Sequence, residues 1–424
     1  MTPQNLLKAT CEVLTLALRF ERPADATLTL TFRQQRAGQR PGQRERAAMA
    51  ETLYAVLRRL RYFDTLARSG SGGRERRLAI LGWRGDEEVL RAAISPQEWA
   101  WRAEMLAQPL DNFPDCCRHN LPDWLADALR RRMREWDVQA LAGAMQQEAP
   151  LDVRVNTLQA KREDVLQELR GQGLDVQETP HSPWGLRLLG RPAVHRLDAF
   201  ERGDIEVQDE GSQLLALLVG ARRGDMVADY CAGAGGKTLA LGAMMRGTGR
   251  LYAFDTSARR LSALTPRLSR SGLSNIYPIV ITGEGDQRVR RLAGKLARVL
   301  VDAPCSGLGT LRRNPDMKWR QSPEKVKALA AQQQEILTSA ARLVQPGGRL
   351  VYATCSLLRE ENEDVAAAFE AAHPQFVPVQ AARVLTVAGV PDAEQLCGEG
   401  GRFLQLAPHT SGTDGFFAAA WQRV

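Results

Sequence analysis

The chain has 424 residues, which is enough for two or three domains of about 150 residues each. Hydrophobic residues make up 44% of the sequence, so folded cores are expected and disorder as the main state is excluded. Apolar runs such as residues 214–219 are far shorter than the roughly 18 to 20 residues of a membrane helix. Because residues 1–20 also lack the pattern of a secretory signal, we expect a cytoplasmic protein without membrane association.

Basic residues outnumber acidic ones. The 57 Lys and Arg exceed the 49 Asp and Glu by a formal charge of +8, and only seven of the 57 are lysines. Arginine offers a planar fork that suits phosphate. Residues 33–77 alone hold twelve arginines against four acidic residues. The excess indicates a polyanion such as nucleic acid as partner, although an ordinary solvated helix surface explains it as well.

The cysteine content points away from disulfides and metals. The chain has seven cysteines, an odd number without regular spacing, which argues against a disulfide framework. No His and Cys set at convincing ligand spacing predicts a metal site, so none is expected.

Three segments differ in their hydrophobic pattern. Residues 1–147 carry apolar side chains at helical spacing, as in 53–60, which predicts an all-helical domain. Residues 148–205 begin with an alternating strand pattern followed by a helix, which predicts a small α/β linking module. Residues 206–424 alternate strand-like runs with helical segments, the βαβ rhythm of a doubly wound sheet.

The predicted elements of the third segment follow in chain order. The predicted strands are Met226–Tyr230, Arg250–Phe254, Ile276–Ile281, Val299–Asp302, Leu350–Thr354, Phe403–Leu406 and Phe416–Trp421. The predicted helices cover residues 237–246, 257–270, 323–344 and 361–371. In such a sheet the first, fourth and fifth strands are expected side by side, with ligands beyond their carboxyl ends.

A glycine-rich turn follows the first predicted strand and runs straight into a helix. It reads Cys231-Ala232-Gly233-Ala234-Gly235-Gly236-Lys237-Thr238. Glycines let backbone amides approach a ligand, and a helix N-terminus adds partial positive charge, so the turn predicts a cofactor site. Its last four residues suggest a P-loop ATPase, but Cys231 stands where that motif requires its first glycine.

Two acidic residues after the turn fit a cofactor that contains adenosine. Asp255 ends the second strand, where a carboxylate can accept hydrogen bonds from ribose hydroxyls, as in NAD or S-adenosylmethionine enzymes. A role in capping the next helix explains it equally well. Asp286 is placed to hold an adenine amino group, with Glu284 as a close competitor and a simple surface loop as the third explanation.

Two cysteines follow adjacent strands. Cys305 comes three residues after Asp302 at the end of the fourth strand, and Cys355 follows the fifth, so both thiols and the acid are expected in one cleft with the cofactor turn. Buried cysteine often packs as a small hydrophobe, but both lie in polar strand-to-loop transitions. The basic residues that follow are predicted to contact nearby phosphates, with a solvated loop as the alternative: Arg312, Arg313, Lys318 and Arg320.

Taken in order, these motifs resemble the RNA cytosine-5 methyltransferases, a family that includes the bacterial 16S ribosomal RNA methyltransferase B type and the NOP2/NSUN proteins. The resemblance covers most of the chain and rests on residues 207–213, 229–238, 302–307, 312–319, 352–356, 361–363 and 412–417. Residues 44–58 are similar to the NusB-like RNA-binding helical domain of the bacterial enzymes. One departure is that Gly233-Ala234 replaces the usual Ala-Pro, which loosens the cofactor turn and puts cofactor affinity in doubt.

The resemblance implies a fold and a reaction. The fold is an α/β, doubly wound, Rossmann-like class I methyltransferase domain over 206–424, preceded by an all-helical NusB-like domain over 1–147 and the linking module over 148–205. The reaction is transfer of a methyl group from S-adenosyl-L-methionine to carbon 5 of a cytosine in RNA, with 16S rRNA or a small ribosomal subunit precursor as partner of a monomeric enzyme. The implied cofactor contacts are Cys231, Ala232, Gly233, Ala234, Gly235, Gly236, Lys237, Asp255, Asp286 and Asp302.

Carbon 5 of cytosine is too weakly nucleophilic to attack a sulfonium methyl group unless a thiolate first adds to carbon 6. The residues alone do not rank the two thiols, but the resemblance implies Cys355 as nucleophile and Cys305 as the group that assists proton removal and release. Asp302 is expected to hydrogen-bond the cytosine edge. Lys237 is expected to lower a thiol pKa or to contact substrate, a surface lysine being the alternative. The target base must be unpaired or flipped out.

Two other functions stay open. A transfer RNA is the closest rival substrate. A non-catalytic RNA-binding factor of ribosome assembly is the rival of another class, supported only by the altered turn at Gly233 and Ala234.

Overall fold

The computed structural model describes residues 1–34 and 41–424, which form two compact units. The first unit comprises residues 1–148 and 310–323, and the second comprises 149–309 and 324–424. The sequence divides into three predicted domains, whereas the small α/β module and the large sheet share one unit here. The segment 310–323, from the middle of the predicted methyltransferase domain, belongs to the helical unit.

Within the described residues the strands begin at residue 151, after the first ten α-helices, and helices and strands alternate from there on. The helices are α1 (Pro3–Ala17), α2 (Ala24–Gln34), α3 (Gln43–Arg58), α4 (Leu60–Leu66), α5 (Arg74–Leu81), α6 (Glu87–Ala93), α7 (Pro96–Leu106), α8 (Asp115–His119), α9 (Asp123–Arg130), α10 (Glu135–Met145), α11 (Arg162–Gly171), α12 (Asp198–Glu201), α13 (Glu210–Val219), α14 (Gly236–Met244), α15 (Ala258–Ser262), α16 (Leu264–Ser271), α17 (Gln287–Arg290), α18 (Met317–Arg320), α19 (Pro323–Ala341), α20 (Glu363–Ala372) and α21 (Ala381–Val387). The strands are β1 (Leu151–Val155), β2 (Val176–Glu178), β3 (Gly185–Leu188), β4 (Ile205–Val207), β5 (Met226–Asp229), β6 (Arg250–Asp255), β7 (Ile276–Val280), β8 (Leu296–Asp302), β9 (Val344–Thr354), β10 (Phe376–Val379), β11 (Leu404–Leu406) and β12 (Phe416–Arg423).

The first unit is helical throughout its described residues, as the apolar spacing predicts. Leu7, Leu14, Met49 and Leu53 are fully buried in its core. The segment 310–323 is fastened to this unit by polar contacts. The Trp319 Nε1 donates to Leu57 O at 3.3 Å, and the Asp316 carboxylate accepts from Ala24 N at 3.3 Å.

The arginines of residues 33–77 are partly neutralised within the first unit. Arg36 and Arg40 lie outside the described residues. Three others pair with carboxylates at 2.6 to 2.7 Å: Arg61 with Asp123, Arg74 with Asp64, and Arg76 with Glu98. The positive charge available to a partner is therefore smaller than the count of arginines suggests.

The second unit contains two sheets. The smaller has the order β2-β3-β1-β4 with antiparallel neighbours, and Val153, Leu169 and Leu186 are fully buried in its core. The larger has the order β10-β12-β9-β8-β5-β6-β7, with β11 paired to β12. Strands β5 to β9 are parallel and β12 is antiparallel, so the predicted doubly wound, Rossmann-like α/β fold is confirmed.

The seven predicted strands and four predicted helical segments of this unit are present, with two differences. The predicted helix over 257–270 is split into α15 and α16, because Pro266 in the first turn of α16 cannot continue a helix from the preceding residues. Strand β10 and helices α13, α17 and α21 were not predicted. Pro378 weakens the strand pattern, and β10 is an edge strand, where proline is tolerated.

The large sheet brings Asp302 and the two predicted thiols to one edge. Strands β5, β8 and β9 lie side by side as predicted, with Asp229 opposite Leu300 and Asp302 opposite Ala353. The carboxyl ends of these strands, and the loops that follow, therefore meet. Across the described ranges, every helix is too short or too polar to cross a bilayer.

Candidate active site

The two predicted thiols meet at the edge of the sheet. The Sγ atoms of Cys305 and Cys355 are 3.2 Å apart, and the Cys355 N–H donates to Cys305 Sγ at 3.3 Å. Both are free cysteines. The hydrogen bond with Cys355, reinforced by burial, raises the pKa of Cys305 well above its usual value. Cys305 is therefore a protonated thiol at neutral pH.

Lys237 lies inside the site, in the first turn of α14. Its Nζ is 2.7 Å from Asp302 Oδ2 and 5.6 Å from the ring centre of Phe416. Burial acts to lower the pKa of Lys237, but the Asp302 carboxylate outweighs it, so the pKa is raised and the ammonium is retained. The electrostatic interaction with Cys355 also raises the pKa of Lys237. The ammonium therefore lies within electrostatic range of the thiol pair. The surface alternative for Lys237 is thus excluded.

The glycine-rich turn is shaped by two left-handed residues. Gly233 has φ +56° and Gly235 has φ +81°. A Cβ at Gly235 would lie 2.2 Å from Leu264 Cδ1, so only glycine fits there. The turn is held from two sides, because Gly233 N donates to Asp255 Oδ2 at 2.9 Å and Arg267 Nη1 donates to Ala234 O at 2.6 Å.

Asp229, at the end of β5, is a site residue that the sequence motifs did not single out. Its Oδ2 accepts from Thr238 Oγ1 at 2.7 Å, whereas its Oδ1 is buried and has no partner among the described residues. Burial raises the pKa of Asp229 to about 7. A buried acid with an unpaired oxygen is unusual and often occurs at functional sites. In the sequence, the signal that could have identified Asp229 was its position directly before the glycine-rich turn.

The two acids predicted to hold adenosine are engaged with their own loops. Asp255 accepts from Ser257 N at 2.7 Å as well as from Gly233, and Ser257 itself caps α15. Asp286 caps α17 and pairs with the Arg288 guanidinium at 2.6 Å. The hydrogen bond from Arg288, helped by backbone N–H groups, holds the pKa of Asp286 well below its usual range. Their contacts to a cofactor stay predictions.

A buried carboxylate fastens the two cysteine loops together. Glu361 is fully buried and accepts hydrogen bonds from Ser306 N at 2.8 Å, from the hydroxyls of Ser306 and Ser356 at 2.5 Å each, and from Gln333 Nε2 at 3.0 Å. Ser306 follows Cys305, and Ser356 follows Cys355. Glu361 therefore holds the two loops at a fixed separation. Glu361 is part of a sequence motif, but the motif did not reveal this role.

The four basic residues predicted to contact RNA lie in the first unit, within 310–323. Arg312 and Lys318 are buried, with 6% and 4% of their surface exposed. Lys318 Nζ donates to Arg58 O at 2.9 Å, and burial lowers the pKa of Lys318 to about 7. These two side chains are therefore buried and not at the surface as predicted. Lys318 Nζ and the backbone carbonyl of Arg312, which accepts from Arg58 Nη2 at 3.1 Å, fasten the segment within the helical unit. Arg313 and Arg320 are partly exposed, and their phosphate contacts stay predictions.

Family models match two consecutive parts of the chain. The model described as 16S rRNA methyltransferase RsmB/F matches residues 216–422. The model described as the RsmF/B-like methyltransferase ferredoxin-like domain matches residues 121–195, which include most of the smaller sheet. The two models follow one another in the order expected from the motifs.

Individual proteins agree with the family models. The chain is 37% identical over 262 residues to ribosomal RNA small subunit methyltransferase B of Sodalis glossinidius, covering 61% of this chain and 58% of that protein. It is 32% identical to the enzyme of that name from Pasteurella multocida, covering 72% of this chain and 65% of that protein.

Two solved structures share the fold. The crystal structure of PH0851 has a TM-score of 0.79 at 24% identity, covering 100% of this chain and 99% of that chain. NSun6 from Pyrococcus horikoshii, solved with SFG, has a TM-score of 0.62 at 20% identity, covering 72% of this chain and 98% of that chain.

The relatives are longer than the matched region. The alignments span 55%, 59% and 58% of the relatives from Synechocystis, Bacillus subtilis and Sodalis glossinidius. Within that region the family models, the curated relatives and the fold agree. Residues 216–422 belong to the RsmB/F methyltransferase family.

Proposed function

We propose that the protein transfers a methyl group from S-adenosyl-L-methionine to carbon 5 of a cytosine in RNA. The observation that carries this proposal is the 3.2 Å approach of the Cys305 and Cys355 sulfurs beside the Lys237–Asp302 pair. Two thiols and a fixed cation in one cleft suit covalent activation of a pyrimidine ring.

The residues of the turn fit the cofactor. Gly235 leaves no room for a side chain, and the backbone of the turn leads into the N-terminus of α14, where polar ligand groups are favoured. The buried, half-satisfied Asp229 adds a polar group at the same place. Residues 231–237, Asp255, Asp286 and Asp302 would hold the cofactor, which when bound supplies an electrophilic methyl group.

Cys355 acts as the nucleophile in this proposal. Its thiolate forms a bond to carbon 6 of cytosine, and the electron pair of the ring double bond moves to carbon 5. Asp302, beside the thiols, hydrogen-bonds the cytosine edge where charge changes during the addition. The Lys237 ammonium, bound to Asp302, keeps the local field favourable to a thiolate.

Cys305 assists the second half of the reaction. Once carbon 5 carries its new methyl group, its proton must leave so that the bond between carbon 6 and Cys355 breaks and the ring double bond returns. Cys305 Sγ is adjacent to Cys355 Sγ. The hydrogen bond and burial raise the pKa of Cys305, so its thiolate is a strong base. In this proposal the Cys305 thiol first loses its proton to solvent, and the thiolate then takes the proton from carbon 5.

The RNA partner is proposed from the relatives. Proteins named ribosomal RNA small subunit methyltransferase B are 31% to 37% identical to this chain, which supports 16S rRNA or a small-subunit precursor over transfer RNA. We further propose that the protein acts as a cytoplasmic monomer.

Substitution of each thiol tests the mechanism. Cys355→Ala is expected to remove methylation of RNA, measured with radiolabelled methyl donor, because no nucleophile remains. Cys305→Ser is expected to accumulate a covalent protein–RNA adduct on denaturing gels, because release fails. Cys397→Ala, a cysteine remote from the pair in sequence, serves as the matched control. An adduct that forms only in the Cys355 variant would reverse the two roles.

Calorimetry separates the enzyme from a non-catalytic assembly factor. Titration of the full chain with S-adenosyl-L-methionine is expected to show saturable binding at one site. An absence of binding, together with retained RNA affinity, would favour the assembly factor.

A further inference from the structure

A charged cavity lies beside β8 and β9, away from the strand ends that the two thiols follow. Its volume is about 520 Å³, and four arginines line it together with apolar side chains. We call it the arginine cavity and define it by these arginines: Arg222, Arg298, Arg349 and Arg383. Arg298 is the third residue of β8 and pairs with Arg349 in the middle of β9, whereas the thiols follow the carboxyl ends of the same strands. About four to five residues of strand, roughly 15 Å, separate the two sites.

The charge of the arginine cavity is not balanced by ion pairs within the described residues, although Asp225 lies near enough to act on Arg298. Arg298 Nε donates to Gly220 O at 3.2 Å and Arg349 Nη1 donates to Leu218 O at 3.1 Å, both at the C-terminal end of α13. The nearest acid that acts on Arg298 is Asp225, whose Oδ2 already accepts from the backbone N–H of Arg222. No ion pair joins any of the four guanidinium groups to a carboxylate in the described part of the chain.

The arginines repel one another at this place. Burial, together with the charges of Arg298 and Arg222, lowers the pKa of Arg349 to about 10. A helix C-terminus attracts a cation, which explains why one guanidinium sits at the end of α13. The helix C-terminus does not explain why a second half-buried guanidinium group and two exposed ones lie at the same place. The excess charge is what a bound anion would neutralise.

We propose that the arginine cavity binds a phosphate of the RNA backbone, as a contact remote from the thiols. This inference rests on the proposed function, which makes RNA the substrate. Guanidinium groups match phosphate oxygens in a bidentate manner, and a volume of about 520 Å³ accommodates one nucleotide. At the rim Val387 is 84% exposed, so the cavity is open to a phosphate carried on a polymer.

RNA binding by the full chain at increasing salt tests the proposal. The double variant Arg222→Ala/Arg383→Ala removes the two exposed arginines and leaves those at the helix end in place. We expect its Kd for a labelled 16S rRNA fragment to rise roughly tenfold near 0.1 M salt, since the variant cannot form these hydrogen bonds to charged groups. The slope of log K against log salt should fall by about 0.7 for each phosphate that the variant no longer binds. Affinity for S-adenosyl-L-methionine and the unfolding midpoint should stay unchanged.

Arg223→Ala is the matched control, because Arg223 is exposed and adjacent to Arg222 but does not line the cavity. It is expected to keep the parent Kd and slope. An unchanged Kd and slope in the double variant, with RNA bound normally by the parent, would overturn the arginine cavity and leave the proposed function intact. An absence of RNA binding by the parent at low salt would overturn both.

A second arm identifies the source of the phosphate. The full chain is titrated with inorganic phosphate and with adenosine monophosphate in the absence of RNA. We expect at most millimolar affinity for either. Tight, saturable nucleotide binding that the double variant abolishes, with RNA affinity unaltered, would assign the cavity to a free nucleotide and overturn the RNA contact.

Discussion

Replacement of Asp229 by asparagine is expected to stabilise the fold more at high pH than at low pH. Burial raises the pKa of Asp229 from 3.8 to about 7, so the folded chain keeps a proton that the unfolded chain releases. Between these two values the folded state binds more protons, and stability therefore falls as the pH rises through this window. Asparagine is neutral at every pH and can still accept from the Thr238 hydroxyl, so it escapes the penalty.

The magnitude follows from the two pKa values. One pKa unit corresponds to about 1.36 kcal/mol, so the penalty approaches roughly 4 kcal/mol above pH 7. About two of the three units fall between pH 5 and pH 7. The advantage of Asp229→Asn over the parent should therefore grow by roughly 3 kcal/mol from pH 5 to pH 8, a large part of the 5 to 15 kcal/mol that stabilises a typical domain.

Urea unfolding at pH 5 and pH 8, followed by tryptophan fluorescence, measures this difference. Thr238→Val is the companion variant, because it removes the hydroxyl that donates to Asp229 Oδ2 at 2.7 Å. Without that donor the pKa of Asp229 should rise further, so this variant should lose more stability at pH 8 than at pH 5. If Asp229→Asn gains the same free energy at both pH values, a protonated buried Asp229 is refuted.

Two further changes test the supports of the site. Glu361→Gln should cost about 2 to 4 kcal/mol in urea unfolding and lower kcat more than tenfold, since the charge-assisted hydrogen bonds to the cysteine loops are weakened or broken. The exposed Glu360→Gln is its control, and an equal effect of both changes would contradict the role of Glu361. Arg267→Ala should weaken calorimetric affinity for S-adenosyl-L-methionine about 3- to 10-fold, because Ala234 O loses its donor. Adding Ala234→Pro, which restores the usual family residue, should recover part of that affinity, and no recovery would show that Arg267 does not compensate for the missing proline.

The large sheet was predictable because its signals are local. Each strand alternates its contacts between two cores, as Leu300 packs on one face and Val299 and Val301 on the other. That period, together with a turn after each strand, also locates the carboxyl edge. The position of Cys305 and Cys355 in one cleft therefore follows from strand order alone.

The placement of Arg312 and Lys318 was not predictable in this way. Both follow Cys305 closely and carry positive charge, which locally indicates phosphate contacts. Their burial depends on residues more than 250 positions away, since Lys318 binds the carbonyl of Arg58 and Arg58 binds the carbonyl of Arg312. Contacts of such separation leave no periodic trace in the segment itself.

Glu361 shows the same limit at the active site. Its sequence neighbourhood contains three acids and a helix start, a pattern typical of a solvated helix N-terminus. A buried carboxylate is costly unless donors surround it, and the donors here come from two loops and from Gln333 on α19. Removing any one donor leaves a buried charge with less compensation. Each of the four hydrogen bonds therefore depends on the others. The separation of the Cys305 and Cys355 sulfurs is set by this cooperative network rather than by either strand alone.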